Sequence, residues 1–398
     1  MNTSTDEKFV IIGASAAGIT AADEIRKLDP GAAITMISKE DVKGYYRPRL
    51  SEMLSNEKIS AEQITFKNDK WYADRKINLL LNKTVSGIDP VTKRVSLDDG
   101  SDLPYTKLII ASGAEVFVPP FPGRDKEGVF TLRHLKDMQN IKEYAQGKKN
   151  AVVIGGGLLG LEAANGLKGL GLNVSVLEHN QRILPRQLDP EASALLEEKV
   201  DQYGIKFLKN ADTKELVGDD KLEGVLLENG ATIAADLLII STGVRPNTAF
   251  AKNTDLEIKR AIVVNEKMET SLADIYAAGD CAEFNGINYA LWIEAVEQGK
   301  TAGINAAGGE YVFETFIPFT SLQAFDTKAF SIGDVGSNPE RTYETYKNYQ
   351  DGNFKELYFA EDKLCGAILI GDTSKQAIIS KGFKTGISKN EIIAKLES

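Results

Sequence analysis

The 398-residue chain is 42% hydrophobic and carries a formal net charge of −10, long enough for two or three folded domains rather than one core. Its acidic balance, with a pI near 5.1, argues against a nucleic-acid binder, which needs clustered cations to neutralise phosphates. No stretch approaches the roughly 20 apolar residues that span a bilayer, and the first ten residues, MNTSTDEKFV, lack the apolar segment of a secretory signal. The expected location is therefore the cytoplasm, with no membrane partner. Two cysteines, Cys281 and Cys365, and two histidines, His134 and His179, suggest neither a disulfide framework nor a metal site.

The chain opens with KFVIIGASAAGITAADEIRKL: a short apolar strand, a turn of small residues, and a helix whose Ile19, Ala22, Ile25 and Leu28 recur at helical spacing. Gly13, Ser15 and Gly18 hold the key positions of a G-x-G-x-x-G dinucleotide loop, with serine at the middle one. In such a loop the first glycine makes the tight turn, the middle position lets the backbone approach a pyrophosphate, and the third lets helix pack on strand. The helix N-terminus receives the phosphate charge. A second strand, AITMIS, leads to Glu40, roughly 20 residues past the loop, the candidate acid for ribose hydroxyls. Taken alone, GASAAG also reads as a well-packed turn. A β-rich stretch ends at KLIIASGA, and the turn-rich VPPFPG marks a crossing between domains.

The same grammar returns at NAVVIGGGLLGLEAANGLKGLGLNVSVLE, where Gly155, Gly157 and Gly160 complete the motif between strand and helix. Glu178 ends the following strand, where an acid bonds ribose hydroxyls and repels a 2′-phosphate, so NADH is predicted over NADPH. His179 and Arg182 lie close enough to accommodate a 2′-phosphate, and otherwise read as solvated loop residues. Glu162 is an acid early in the helix, a position that the macrodipole favours. Further on, TSLADIYAAGDCAE reads as a strand followed by Gly279 and Asp280. There a carboxylate can accept hydrogen bonds from sugar hydroxyls, and glycine lets a cofactor chain pass close to the backbone. From Glu314 the composition turns to aromatic-rich alternation with a late helix, predicting a small α+β domain.

Thr270 through Asp280 match a second FAD motif, and together with the two glycine loops they run in the order FAD, NAD, FAD. Over roughly residues 8–310 the chain thus resembles the FAD-dependent pyridine nucleotide-disulfide oxidoreductases. The resemblance implies an α/β fold of two Rossmann-like domains plus a small C-terminal α+β domain. FAD binding would occupy 1–117 and 241–313, NAD binding 118–240, and the C-terminal domain 314–398. It implies FAD and NADH as cofactors, with Arg47 by the FAD phosphates, the Val85 backbone at the adenine, Ala111 and Ser112 near FAD, and Arg133 near the cofactor. Asp280 would bind the ribityl chain, Glu162 would face nicotinamide and flavin, and helix amides at Ala295 and Val296 would point at the flavin ring. An N-terminal helix dipole there would stabilise anionic reduced flavin.

No cysteine precedes Cys281, so the reactive thiols of the disulfide-reducing and peroxide-reducing branches are missing, and Cys281 itself reads as a small buried residue. Electrons must pass directly from flavin to an external acceptor. YYRPRLSEML and GAILIGD look most like the rubredoxin-reducing branch, with the pyridine-nucleotide half of assimilatory nitrite reductases as a cousin. The implied partner is a small electron-carrier protein such as rubredoxin; the alternatives are an oxygen-consuming NADH oxidase and a slow-turnover NADH sensor. Lys39, Lys43, Arg47 and Arg49 form the densest cation cluster near the proposed flavin entrance, the expected docking face. The hydride step itself requires no side-chain acid or base, and no catalytic residue is singled out.

Overall fold

The computed structural model describes residues 7–315 and 317–397; residues 1–6, where the reading for a secretory signal begins, lie outside them. Two compact units emerge. The first comprises the chain up to Arg49, Ile59–Glu115 and the stretch that begins at Val244. The second comprises Leu50–Lys58, Val116–Gly243 and the stretch from Ile317 onward.

The first unit is built on a five-stranded parallel sheet in the order Ile275–Ala277, Lys107–Ile110, Lys8–Ile12, Ala33–Ile37, Ile77–Leu80. Lys8–Ile12 is buried at four of its five positions, as a central strand covered on both faces requires. In the following helix, Ala16–Leu28, the side chains of Ile19, Ala22 and Ile25 are fully buried, whereas Leu28 is half exposed. Strict three-residue spacing slips by about 60° per step on a helix of 3.6 residues per turn, which carries Leu28 to the opposite side from Ile19. The helix Trp292–Ala306 packs on Ala16–Leu28 through glycine. A Cβ at Gly299 would lie 2.3 Å from the Ala17 carbonyl oxygen, and one at Gly303 2.6 Å from that of Ala21. A three-stranded antiparallel sheet, Val85–Asp89, Arg94–Leu97 and Asp102–Pro104, is inserted before Lys107–Ile110.

The second unit repeats this plan. Its parallel sheet runs Ile205–Lys209, Asn173–Glu178, Asn150–Ile154, Leu237–Ile240, Val129–Thr131. The helix Leu158–Gly169 follows the central strand, and an antiparallel insert, Thr213–Val217, Gly224–Leu227 and Thr232–Ala234, precedes Leu237–Ile240. In both sheets the central strand has on one side the strand it reaches through its own helix, and on the other a strand that arrives much later in the chain. Strand order reverses there, and a crevice for ligand opens at the carboxyl ends.

The short helix Leu50–Ser55 also belongs to the second unit, although it falls in the stretch expected to bind FAD. Small residues explain its attachment: a Cβ at Gly166 would lie 2.8 Å from the Ser51 carbonyl oxygen, and one at Gly169 2.4 Å from the Ser55 Cβ. The α+β portion expected near the end is a five-stranded antiparallel sheet, ordered Phe319–Ala324, Thr327–Gly333, Lys363–Ile370, Asn353–Ala360, Glu344–Gln350. Phe330, Leu357, Phe359, Leu369, Ile379 and Ile392 form its core. The single late helix expected there is two, Gln376–Thr385 and Lys389–Glu397, because Gly386 at φ 61° ends the first with a left-handed cap. No helix among the described residues is long and apolar enough to cross a membrane.

Candidate functional site

At each reversal of strand order the same backbone contact recurs. Gly13 and Gly155 both have φ 111°; a Cβ would lie 2.0 Å from the Ala111 carbonyl oxygen in the first case and 2.2 Å from that of Ser241 in the second. The third loop glycines repeat too, with would-be Cβ atoms 2.0 Å from the Gly13 oxygen at Gly18 and 1.9 Å from the Gly155 oxygen at Gly160. The chain's own packing forces glycine at these four places. The middle positions are different. A Cβ at Gly157 meets nothing within 4 Å, and both Gly157 (φ −75°) and Ser15 (φ −116°) have backbone that any residue adopts. The fold itself does not require glycine at the middle position, so serine is accommodated at position 15. Ser15 makes no side-chain cap, and the first-turn amides of both helices are left to the space above each loop.

In the first unit Ala111 and Ser112 back onto Gly13, and the Ser112 hydroxyl donates to the Asn247 carbonyl at 2.7 Å. Glu40 accepts from the Tyr45 hydroxyl at 2.6 Å and from Arg47 Nη2 at 2.9 Å. Burial alone would lower the Arg47 pKa, but Tyr45, Glu40 and Asp280 hold it above its ordinary value. Asp280 thereby shares one electrostatic neighbourhood with Glu40 and Arg47. The Asn82 amide donates to the Glu40 carbonyl at 3.0 Å, which brings Val85, at the start of the antiparallel insert, beside that turn.

Gly279, at φ 82°, donates its N–H to Gln298 Oε1 at 2.8 Å, and Asn288 Nδ2 donates to the Asp280 carbonyl at 2.9 Å. The Thr270 hydroxyl donates to the Ile275 carbonyl at 2.9 Å and shapes the turn before that strand. A Cβ at Gly279 would lie 3.2 Å from the Ala17 Cβ and 3.5 Å from the Ala295 Cβ, so the first loop, Gly279 and Ala295 meet. The helix amides require a correction. Leu291 is the N-cap and the Ala295 amide already donates to its carbonyl at 3.0 Å, with Val296 deeper in the helix. The Ala295 amide is thus taken up within the helix, and Val296 lies one residue deeper.

In the second unit Glu178 is buried. Its Oε2 accepts from the Gly156 amide at 2.7 Å, and its Oε1 from the Asn180 amide at 2.7 Å and side chain at 2.5 Å. A Cβ at Gly156 would meet the Phe207 ring at 2.8 Å and Glu178 Oε2 at 3.0 Å, so the loop's unremarked glycine is also constrained. His179 pairs through Nδ1 with Asp212, which raises its pKa, and Arg182 Nη2 donates to the Pro185 carbonyl at 2.8 Å. Glu162 accepts from the Ser51 hydroxyl at 3.1 Å. Burial pushes its pKa up to about 7, the Ser51 bond opposing and the nearby Glu52 adding to the rise. Arg133 falls in this unit, just past Val129–Thr131, where Asp137 accepts from the Arg133 and His134 amides, both at 2.9 Å, at the start of Leu135–Tyr144.

Cys281 is fully buried with its thiol directed at the Ile110 carbonyl, and burial raises its pKa, so it has the character of a core residue. The basic cluster is more nearly neutral than its cations suggest, since Lys39 pairs with Glu115, Lys43 with Asp69 at 2.7 Å, and Arg47 with Glu40. Sequence reasoning missed Gln298, Asn288, Ser51 and Asp212. Of these, only Gln298 leaves a signal, as a polar residue within the buried Ala and Gly stripe of its helix.

The open middle position, the positive-φ turn and the acid at the next strand end fit a dinucleotide at each loop. Residues 7–299 match the pyridine nucleotide-disulphide oxidoreductase family, and residues 318–387 match the rubredoxin NAD+ reductase C-terminal domain. The nitrite reductase [NAD(P)H] of Bacillus subtilis is 36% identical over 371 residues, covering 93% of this chain and 46% of that protein, so the chain spans about half the length of that relative. The NADH-rubredoxin oxidoreductase of Clostridium acetobutylicum is 34% identical over 386 residues, 97% of this chain and 96% of that one. The crystal structure of NADH:rubredoxin oxidoreductase from Clostridium acetobutylicum aligns over 96% of both chains with a TM-score of 0.82. The chain belongs to the pyridine nucleotide-disulphide oxidoreductase family.

Proposed function

We propose that the chain is a cytoplasmic, FAD-dependent NADH oxidoreductase that passes electrons to a small iron protein such as rubredoxin. The observation that carries this reading is the doubled cradle, with Arg47 and Asp280 beside the first loop and Glu178 locked onto the second. End-to-end similarity to an NADH-rubredoxin oxidoreductase supports the acceptor. On this reading residues 1–117 and 241–313 hold FAD, residues 118–240 hold NADH, and residues 314–398 form the C-terminal domain.

Bound at the first loop, FAD supplies the chemistry of taking two electrons from nicotinamide and giving them up singly to an iron centre. The protein's work is binding and orientation. Arg47 would set its guanidinium against pyrophosphate, Asp280 would accept from a sugar-chain hydroxyl, and Glu178 would accept from the ribose of NADH. Glu162 carries a carboxyl that holds or loses its proton near neutral pH. Anaerobic NADH consumption by the purified protein should rise in proportion to added oxidised rubredoxin. NADH consumption that ignores rubredoxin and instead matches oxygen uptake would replace this reading with an NADH oxidase.

A further inference from the structure

The rim of the second loop carries the paired side chains of His179 and Asp212. The parallel strands Asn173–Glu178 and Ile205–Lys209 end side by side. Just beyond them, the Ala211 amide donates to the Glu178 carbonyl at 3.0 Å and the Asn210 amide to the Asn180 carbonyl at 3.2 Å. This register sets Asp212 against the imidazole of His179. Both side chains are well exposed, 78% for His179 and 49% for Asp212, and an exposed ion pair contributes little to stability. Its position gives it another role, because it stands next to the acid where a 2′-hydroxyl is told from a 2′-phosphate. Asp212 faces His179 from the turn before Thr213–Val217, and Glu178 faces it from its own strand. Of the cations nearby, Lys209 is paired with Glu197 of the helix Pro190–Gln202 at 2.7 Å, and Arg182 is turned onto the Pro185 carbonyl.

We propose that Asp212 is a specificity-determining residue for the nicotinamide nucleotide: by holding His179 it cancels a cation that would otherwise receive a 2′-phosphate. This rests on the second loop being the nicotinamide dinucleotide site. The His179 and Asp212 pair is neutral overall when the imidazole is protonated and carries one negative charge when it is not. In Asp212→Asn the imidazole stands alone, positive below its ordinary pKa of about 6.5 and neutral above it. The variant therefore presents net positive charge to the phosphate only on the acid side.

Calorimetric titration of the oxidised holoenzyme with NADP+ and NAD+, at low salt and at about pH 6 and about pH 8, reads binding without turnover. Asp212→Asn should bind NADP+ up to about fivefold more tightly than wild type at the lower pH. At the lower pH the gain should be absent from the Asp212→Asn/His179→Asn double variant, whose side chains there are as neutral overall as the protonated wild-type pair; at the higher pH, where the variant's imidazole is neutral, any gain should be the same with and without His179, with NAD+ affinity unchanged throughout. Unchanged NADP+ affinity of Asp212→Asn at the lower pH, or a gain there that survives loss of His179, overturns the proposal. Failure of the wild-type holoenzyme to bind NAD+ would instead overturn the reading of the second loop.

Discussion

Both units turn on a glycine at φ 111° pressed against the carbonyl of the neighbouring strand's end, yet their surroundings diverge. The first unit brings in a guanidinium, Arg47, paired with Glu40 and felt by Asp280. The second locks its acid, Glu178, onto backbone amides, while its rim cations His179 and Arg182 are engaged by Asp212 and Pro185. Contacts to ionised groups are roughly twice as strong as neutral ones. Under the proposed function the first site would keep its nucleotide and the second would release it each cycle, with the Arg47 guanidinium as the added anchor of the first. A glycine loop therefore marks a dinucleotide without telling prosthetic group from substrate; side chains gathered from elsewhere make that distinction.

The shared backbone is where the comparison can be broken most severely. Gly13→Ala and Gly155→Ala each drive a Cβ into a carbonyl at about 2 Å and impose a left-handed strain, together about 3 kcal/mol or more. Gly157→Ala should leave thermal stability unchanged while weakening NADH binding, because its surroundings are open. Parallel melting curves and NADH titrations check this, and equal destabilisation by Gly155→Ala and Gly157→Ala would count against the assignment of the middle position to ligand. Next in size, Asp280→Ala should weaken FAD retention by roughly 1.5–3 kcal/mol, the contribution of one hydrogen bond to a charged group. Glu178→Ala should leave FAD in place. Flavin-to-protein ratios after gel filtration separate the two.

Glu162 sharpens the comparison through pH. Its folded pKa of about 7 lies above the ordinary 4.5, so between those values the folded chain keeps a proton that the unfolded chain has released. Stability should fall as pH rises across that window, and the full penalty is present above it. Glu162→Gln should be about 1–2 kcal/mol more stable than wild type above about pH 7, after screening, and equal to it in acid. Urea unfolding over a pH series tests the sign. The smallest effect is expected at the basic cluster. With Lys39 on Glu115 and Lys43 on Asp69, the Lys39→Glu/Lys43→Glu variant should slow reduction of an acidic carrier only at low ionic strength, where the Debye length exceeds about 10 Å. A large loss at physiological salt would restore that cluster as the principal docking face.

The loops, the strands and the acids at strand ends were legible because each follows from local chemistry: apolar runs of strand length, glycine at fixed offsets, a carboxylate where the strand stops. Leu28 misled because three-residue spacing resembles a helix face for two turns and then drifts off it. The helix start at WIEAVEQGKTAG was legible, but the Ala295 amide is taken up by the Leu291 carbonyl, a pairing that shows only once the cap residue is known. Ser51 and Asp212 were invisible for another reason. Each meets its partner across a wide sequence separation, Ser51 with Glu162 and Asp212 with His179, and such meetings exist only once the sheets are assembled. The attachment of Leu50–Ser55 to Leu158–Gly169 through Gly166 and Gly169 is of the same kind.

The central claim is that one loop keeps FAD while the other admits NADH, and an anaerobic absorbance titration of the purified protein with NADH tests it most directly. The purified protein should be yellow with one FAD per chain, bleached by one equivalent of NADH, with Asp280→Ala losing the colour and Glu178→Ala keeping it but needing more NADH to bleach. A colourless wild-type protein that binds no added FAD, or a Glu178→Ala variant that loses its flavin while bleaching with NADH as wild type does, would contradict it.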